Sequence, residues 1–207
     1  LAEQNSVDQA WDLLMTEQYR PLVAVLCQDE QDLARFRQLI VNAVMATDIM
    51  DKDLKELRNK RWDKAFKQSD ADNNDTSREA VNRKATIVIE HLIQASDVSH
   101  TMQHWNVYQK WNARLFKEMY KAWTDGRGGT KDPTEFWYQG EIGFFDFYII
   151  PLAKKLKDCG VFGVSSDEYL QYAINNRNEW ERKGQAVVQA LIAEVTAAYN
   201  TDAISSK

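Results

Sequence analysis

Proline is scarce, with three in 207 residues, and so is glycine, with eight. Few positions can therefore break a helix or form a tight turn, while the wealth of Ala, Leu, Lys, Glu, Gln and Arg favours helix over strand. An all-α fold is expected. Only two cysteines occur, Cys27 and Cys159, and neither has a second Cys or a His at ligand spacing. A disulfide framework and a zinc knuckle are thereby left out, and a reducing compartment fits. No stretch approaches the roughly 20 consecutive apolar residues of a membrane-spanning helix, and the basic-then-apolar start of a secretory signal is missing. A soluble, intracellular segment is expected, with anchoring of any larger parent left open. Lys and Arg number 26 against 31 Asp and Glu, and the net charge of −5 leaves no surplus to neutralise a phosphate backbone. Small molecules or proteins are the expected partners rather than nucleic acid; the oligomeric state is open. The length suits one globular unit. The chain opens at Leu1 directly in an amphipathic pattern, so it reads as part of something longer.

Apolar residues Val7, Trp11, Leu14, Leu22 and Val25 recur at helical spacing and predict two helices between Asn5 and Leu26, broken near Pro21. One helix is predicted from Asp32 to Leu57. Its centre, Leu39 to Met50, is apolar nearly all round, which predicts burial on several sides of a helix carrying Thr47 and Asp48. Lys67 to Glu79 is polar and aperiodic and predicts a loop. Within it Asp70, Asp72 and Asn74 imitate the first ligands of a calcium-binding loop, but Asp75 stands at the glycine position and Val81 at the final glutamate, which argues against calcium. A second strongly apolar helix, Ala85 to Val98, is followed by an amphipathic one from Trp105 to Trp123. Three glycines and a proline make Thr124 to Pro133 a loop, and Phe136 to Leu156 reads as another buried helix. Ser165 and Glu168 have the spacing of a capping box for a last helix, which runs to about Tyr199 and is weakened at Gly184.

Asp97 carries the most information. Ile89, Ile93, Asp97 and His100 share one stripe, so an apolar face is expected to deliver a carboxylate into the interior. A buried carboxylate needs a metal, an arginine or a hydrogen-bond cluster. The plainer reading is a helix-terminal residue exposed where the chain turns.

The run Ala95-Ser96-Asp97-Val98-Ser99, with Tyr108 and Trp111 following at ungapped spacing, resembles the segment of 3′,5′-cyclic-nucleotide phosphodiesterases that contributes an aspartate to a binuclear metal centre. Val44-Met45-Ala46-Thr47-Asp48-Ile49 resembles the family's helix ending in Ala-Thr-Asp. Gly143-Phe144-Phe145-Asp146 with Pro151-Leu152 resembles its Gly-Phe-Ile-Asp helix, and Glu3 before Trp11, Leu13 and Leu14 its Glu-Asn-His-His segment. Four motifs in order cover nearly the whole chain.

The resemblance implies a compact multi-helix, HD-type catalytic domain, of which residues 1–207 are the C-terminal part. It also implies hydrolysis of a cyclic nucleotide, cyclic GMP or cyclic AMP, to the 5′-monophosphate by an oxygen nucleophile held between two divalent ions, one zinc-like and one magnesium-like. In these terms Asp97 is a metal ligand, and Glu3 and Thr47 hold metal-bound water. Phe144, Glu141, His100 and Ile49 border the nucleotide, with Phe144 clamping the base. The family's remaining ligands and its general-acid histidine belong to motifs that this chain does not contain, and His91, His100 and His104 do not match them. No catalytic histidine is therefore assigned, and the ion site is incomplete in this chain. Two other readings stay open: a non-catalytic helical module derived from a phosphodiesterase, which binds a nucleotide or a protein, and a helical interaction protein with no pocket.

Overall fold

The structure, a computed structural model, describes residues 2–49, 51–66, 77–129 and 131–205, with side chains as far as residue 198. The calcium-like run and most of the loop expected at Lys67 to Glu79 lie outside the described residues; Arg78 and Glu79 already begin a helix. Among the described residues there is no strand, as the shortage of breakers implies. The backbone divides into two compact units, Leu1–Asp97 and Val98–Lys207.

The first unit begins with α1 (Ala2–Leu14), a 3-10 helix (Glu17–Tyr19) and α2 (Arg20–Leu26), which carries Pro21 in its opening turn, where a missing N–H costs nothing. α3 (Glu30–Ala46) is capped by Asp29, whose carboxylate accepts from the Asp32 N–H at 2.8 Å. α4 (Lys52–Phe66) and α5 (Arg78–Asp97) complete it. α3 packs on α5, α1 on α3 and α4 on α5. Trp62, stacked on Phe66 at 4.3 Å and tilted against His91 at 4.5 Å, is the largest side chain of this core.

The single helix expected from Asp32 to Leu57 is instead two. Among the described residues of its apolar centre, Ala46 is fully covered and the others are half-buried. The break follows from hydrogen bonding. Beyond Ala46 the Asp48 carboxylate accepts from the Asp51 N–H at 3.1 Å, and Asp51 accepts from the Leu54 N–H at 2.9 Å. Each acid offers the backbone an alternative to the helical ladder and so starts α4 afresh.

In the second unit a 3-10 helix (Ser99–Met102) leads to α6 (Trp105–Thr124), α7 (Pro133–Phe144), a π-helical turn (Phe145–Ile149), α8 (Ile150–Asp158) and α9 (Ser165–Ser205). The loop expected between α6 and α7 is there. Gly126, at φ +69°, takes the left-handed conformation that ends α6, and the N–H groups of Arg127 and Gly128 both return to the Ala122 carbonyl. α9 packs along α6, α7 and α8. The helix expected from Phe136 to Leu156 is continuous in its path but contains the π turn. Ser165 lies inside α9 instead of capping it, while the Ser166 hydroxyl donates to the Gly163 carbonyl at 2.6 Å. α9 also runs on to Ser205, past the expected end.

Gly184 does not weaken this helix so much as make room in it. A Cβ there would lie 2.8 Å from the indole of Trp180, which is fully buried and pinned by its N–H to the Tyr138 carbonyl at 3.1 Å. Gly184→Ala is therefore expected to destabilise the fold by about 1–3 kcal/mol of overpacking, outweighing alanine's helix preference of roughly 1 kcal/mol. Denaturant unfolding of the variant measures this, and a gain in stability would show that the indole yields.

Candidate functional site

The first unit holds Glu3, Thr47, Ile49 and Asp97. The last carbonyls of a helix and of the turn that follows it lack full helical pairing. At the end of α3 two side chains from other helices bond to such carbonyls. The Gln94 amide on α5 donates to the Ala46 carbonyl at 2.8 Å, and the Arg58 guanidinium on α4 donates to the Met45 carbonyl at 3.3 Å and the Asp48 carbonyl at 3.2 Å. The turn carrying Thr47 is thereby tied to the last turn of α5. Thr47 and Asp97 thus belong to the same end of the α3–α5 pair. The Thr47 hydroxyl, however, donates to the Val44 carbonyl of its own helix at 2.7 Å. Ile49 is half-buried just past α3, and Glu3 is half-buried in the first turn of α1. α1 is held to α3 by the Arg37 guanidinium over the Trp11 ring at 5.4 Å.

The expectation that Asp97 is buried on an apolar stripe is overturned. Asp97 is exposed, and Ile89 and Ile93 of the same stripe are 36% and 37% exposed. The buried face of α5 is that of Ile87, Glu90, His91, Gln94 and Ala95. Glu90 escaped the sequence reading. It is buried, accepts from the Arg61 guanidinium at 2.8 Å, and its carboxyl lies above the ordinary range because burial outweighs the pull of Arg61 and Arg58. Two arginines on the preceding helix were the only hint. Among the described residues no three His, Cys, Asp or Glu side chains gather as a metal ion would need. The residues of this chain do not by themselves fit a two-ion centre.

The second unit holds His100, Glu141 and Phe144. Tyr108 on α6 is completely buried, and its hydroxyl donates to Glu141 Oε2 at 2.7 Å. The Asn112 amide donates back to the phenol oxygen at 3.4 Å, and the Trp137 N–H donates to Asn112 Oδ1 at 3.2 Å. Burial first, and the neighbouring carboxylate second, hold the Tyr108 pKa well above that of a free phenol, so it stays the donor. Burial raises the Glu141 pKa, opposed by the hydrogen bonds from Tyr108 and Asn112. The His100 ring lies parallel to Tyr108 at 6.4 Å and tilted to Trp111 at 6.5 Å. Glu141 and Phe144 sit at i and i+3 of α7, on one face. The phenyl of Phe144 stacks on Tyr148 at 5.4 Å. The structure thus brings His100 and Glu141 together around Tyr108.

Trp111, Leu115 and Met119 were not singled out as site residues from sequence. They repeat every four residues along α6 and stay 48%, 44% and 38% exposed, with the Arg114 guanidinium 4.8 Å over the Trp111 ring. The repeat was visible in the sequence, but a core face would show the same spacing.

The sequence pattern described as 3′5′-cyclic nucleotide phosphodiesterase matches residues 1–162. The chain belongs to this family. Two solved structures share its fold, both of the phosphodiesterase domain of the rhodopsin phosphodiesterase fusion protein from the choanoflagellate Salpingoeca rosetta. One aligns with a TM-score of 0.62 at 20% identity and the other with 0.64 at 21%; each alignment covers 91% of this chain and 56% of that domain. This phosphodiesterase chain therefore spans a little over half the length of those domains. Among curated proteins, none matches it. The all-α class read from composition agrees with both findings.

A carboxyl whose pKa is raised by folding holds its proton more tightly in the folded chain, so its contribution is fully present below the unfolded value, near 4.5, and is lost as the pH rises through the folded value. Glu141→Gln keeps an acceptor for Tyr108 and cannot ionise. Urea unfolding across a pH series should show the wild-type chain losing stability relative to this variant as the pH rises from about 4.5. Glu90 shifts in the same direction in both proteins and cancels in the difference. Parallel curves would show that the Glu141 carboxyl is not held off its ordinary range.

Proposed function

We propose that the protein to which this chain belongs hydrolyses a 3′,5′-cyclic nucleotide to the 5′-monophosphate, and that the second unit supplies the wall that reads the base. The observation that carries this reading is the Glu141 carboxylate, held by the buried Tyr108 phenol on the helix face that also bears Phe144. A purine stacked on Phe144 would meet at its edge a carboxylate whose orientation is already fixed. The proposed neighbour within this unit is His100.

Divalent ions, zinc-like and magnesium-like, are proposed for the intact protein, where they would stabilise charge on the phosphoryl oxygens. Asp97 is the one ligand offered by this chain, and its exposure leaves the carboxylate free to serve. Glu3 and Thr47 are proposed beside that site; the bond from Thr47 to Val44 uses its proton and leaves its oxygen able to accept. One exposed carboxylate does not retain two ions, so the purified 207-residue chain is expected to show no cyclic-nucleotide turnover. In the full-length protein Asp97→Ala should lower turnover by orders of magnitude. Metal-dependent hydrolysis by the isolated chain, or wild-type rates in the variant, would remove this assignment.

Substrate preference follows from hydrogen-bond polarity. If Gly143-Phe144 is laid on the Gly-Phe of the family it resembles, Glu141 falls where that family carries a glutamine, whose amide both donates and accepts, whereas a carboxylate only accepts. Guanine presents two adjacent donors, N1–H and the exocyclic amine; adenine pairs its amine with an acceptor nitrogen that a carboxylate repels. Glu141 is taken in its ionised form: burial raises its pKa, and the Tyr108 and Asn112 bonds oppose that rise. Cyclic GMP is therefore the proposed substrate, favoured by about 1–3 kcal/mol, or roughly tenfold to a hundredfold in kcat/KM. Glu141→Gln in the full-length protein should shift the ratio toward cyclic AMP by a similar factor, and an unchanged ratio would mean that this residue does not face the base.

A further inference from the structure

The family match ends at residue 162, yet α9, which begins at Ser165, makes direct polar contact with several parts of the wall just described. Three residues within about one turn do so. The Asn176 amide donates to the carbonyls of Thr101 at 2.9 Å and Gln103 at 2.7 Å, securing the turn that carries His100. The Arg177 guanidinium grips Asp146 with two bonds, Nε to Oδ1 at 2.9 Å and Nη2 to Oδ2 at 3.2 Å. The Trp180 N–H donates to the Tyr138 carbonyl at 3.1 Å, on the turn of α7 before Glu141, while the indole meets the Tyr108 ring edge-on at 5.8 Å. Asn176 and Trp180 are fully buried and Arg177 is 20% exposed, while Asp146 is exposed.

Asp146 has a particular position. It is the second residue of the π turn Phe145–Ile149, which comes directly after Phe144. A π turn inserts a residue into the helical ladder and rotates the helix on its N-terminal side relative to the helix on its C-terminal side, and such turns recur at functional sites. Here it buries Phe145 and Ile149 completely while Phe147 stays 76% exposed. A two-point guanidinium–carboxylate contact fixes both distance and orientation. Arg177 makes that contact at the start of the turn, and its remaining Nη1 is anchored to Glu181 one turn along α9.

We propose that Arg177 is a positioning residue for nucleotide binding: through Asp146 it sets the π turn, and thereby the rotation of α7 that presents Phe144 and Glu141 to the base. Asn176 and Trp180 support the same wall from the same helix. The proposal rests on the reading of the second unit as the base-binding wall. It predicts that residues beyond the family match control substrate affinity without touching the substrate.

Two readouts separate the proposal from the reading beneath it. In the 207-residue chain, hydrogen exchange of the Phe145–Ile149 amides should quicken in Arg177→Gln and in Asp146→Asn, while α3 and α5 exchange as before. In the full-length enzyme each variant should raise KM about fivefold to tenfold with kcat within about twofold, and Arg177→Gln/Asp146→Asn should be no worse than either single change. Arg177→Lys should recover part of the loss. Unchanged exchange in the π turn would overturn the proposal whatever the catalytic result. So would an unchanged KM in an enzyme that turns over normally, a fall in kcat alone, or additive effects in the double variant, which would mean that Arg177 acts through Glu181. If the full-length wild type hydrolyses no cyclic nucleotide, the functional reading fails, and the exchange data still decide whether Arg177 sets the turn.

Discussion

A phenol with no exposure to water must donate its proton to something, and in this protein Tyr108 donates to Glu141. That bond joins α6 to α7. It also places a ring that meets both Phe145 and Trp180 edge-on, at 5.2 and 5.8 Å. Were the carboxylate absent, the buried hydroxyl would forfeit a partner at a cost of about 1–3 kcal/mol. Were the tyrosine absent, a carboxyl already raised by burial would lose the first of the two hydrogen bonds that oppose the shift. Each therefore depends on the other, and Asn112 and Trp137 extend the chain so that successive polar groups have partners.

The first unit obeys the same constraint by other means. Helix ends leave carbonyls that cannot be buried unpaired. The end of α3 survives inside the unit because Gln94 and Arg58 reach it from α5 and α4. These bonds tie the three helices together at one end. They also account for an arginine that is 8% exposed: its charge is spent on carbonyls and helps hold the neighbouring Glu90 in its ionised form against burial.

Much of the fold was legible in the sequence because breakers are rare and each one counts. Pro21, Pro133 and the glycines before Pro133 mark real helix boundaries. The break after Ala46 was not legible, since Thr47, Asp48 and Asp51 end and restart the helix through side chains that would be tolerated on a helix surface. Gly184 was read as a weakness because helix propensity takes no account of the indole that lies over it. Of the candidate site, the motifs identified the family, and Glu141 proved to be tied to Tyr108. The Asn176, Arg177 and Trp180 contacts could not be read, because their partners lie between 31 and 75 residues away in sequence.

The misplaced orientation of α5 shows where periodicity stops being informative. Spacing alone correctly groups Ile89, Ile93 and Asp97 on one side and Glu90, His91 and Gln94 on another, and hydrophobicity then assigns the first group to the core. The structure does the opposite. Exposed isoleucines forgo only the modest gain of burying their area, whereas a polar side chain can enter the core when a principal donor or acceptor finds a counterpart, as Glu90 does through one carboxylate oxygen while the other is buried without a partner among the described residues. Glu90 has Arg61, His91 donates through Nδ1 to the Ile87 carbonyl at 2.7 Å, and Gln94 has the end of α3. Those partners come from other helices or from the backbone, so they are invisible to a pattern read along α5. Asp97, at the helix terminus and on the other face, is exposed. Two acids on one helix thus have opposite fates, and the difference between them is the supply of partners rather than their place in the apolar repeat.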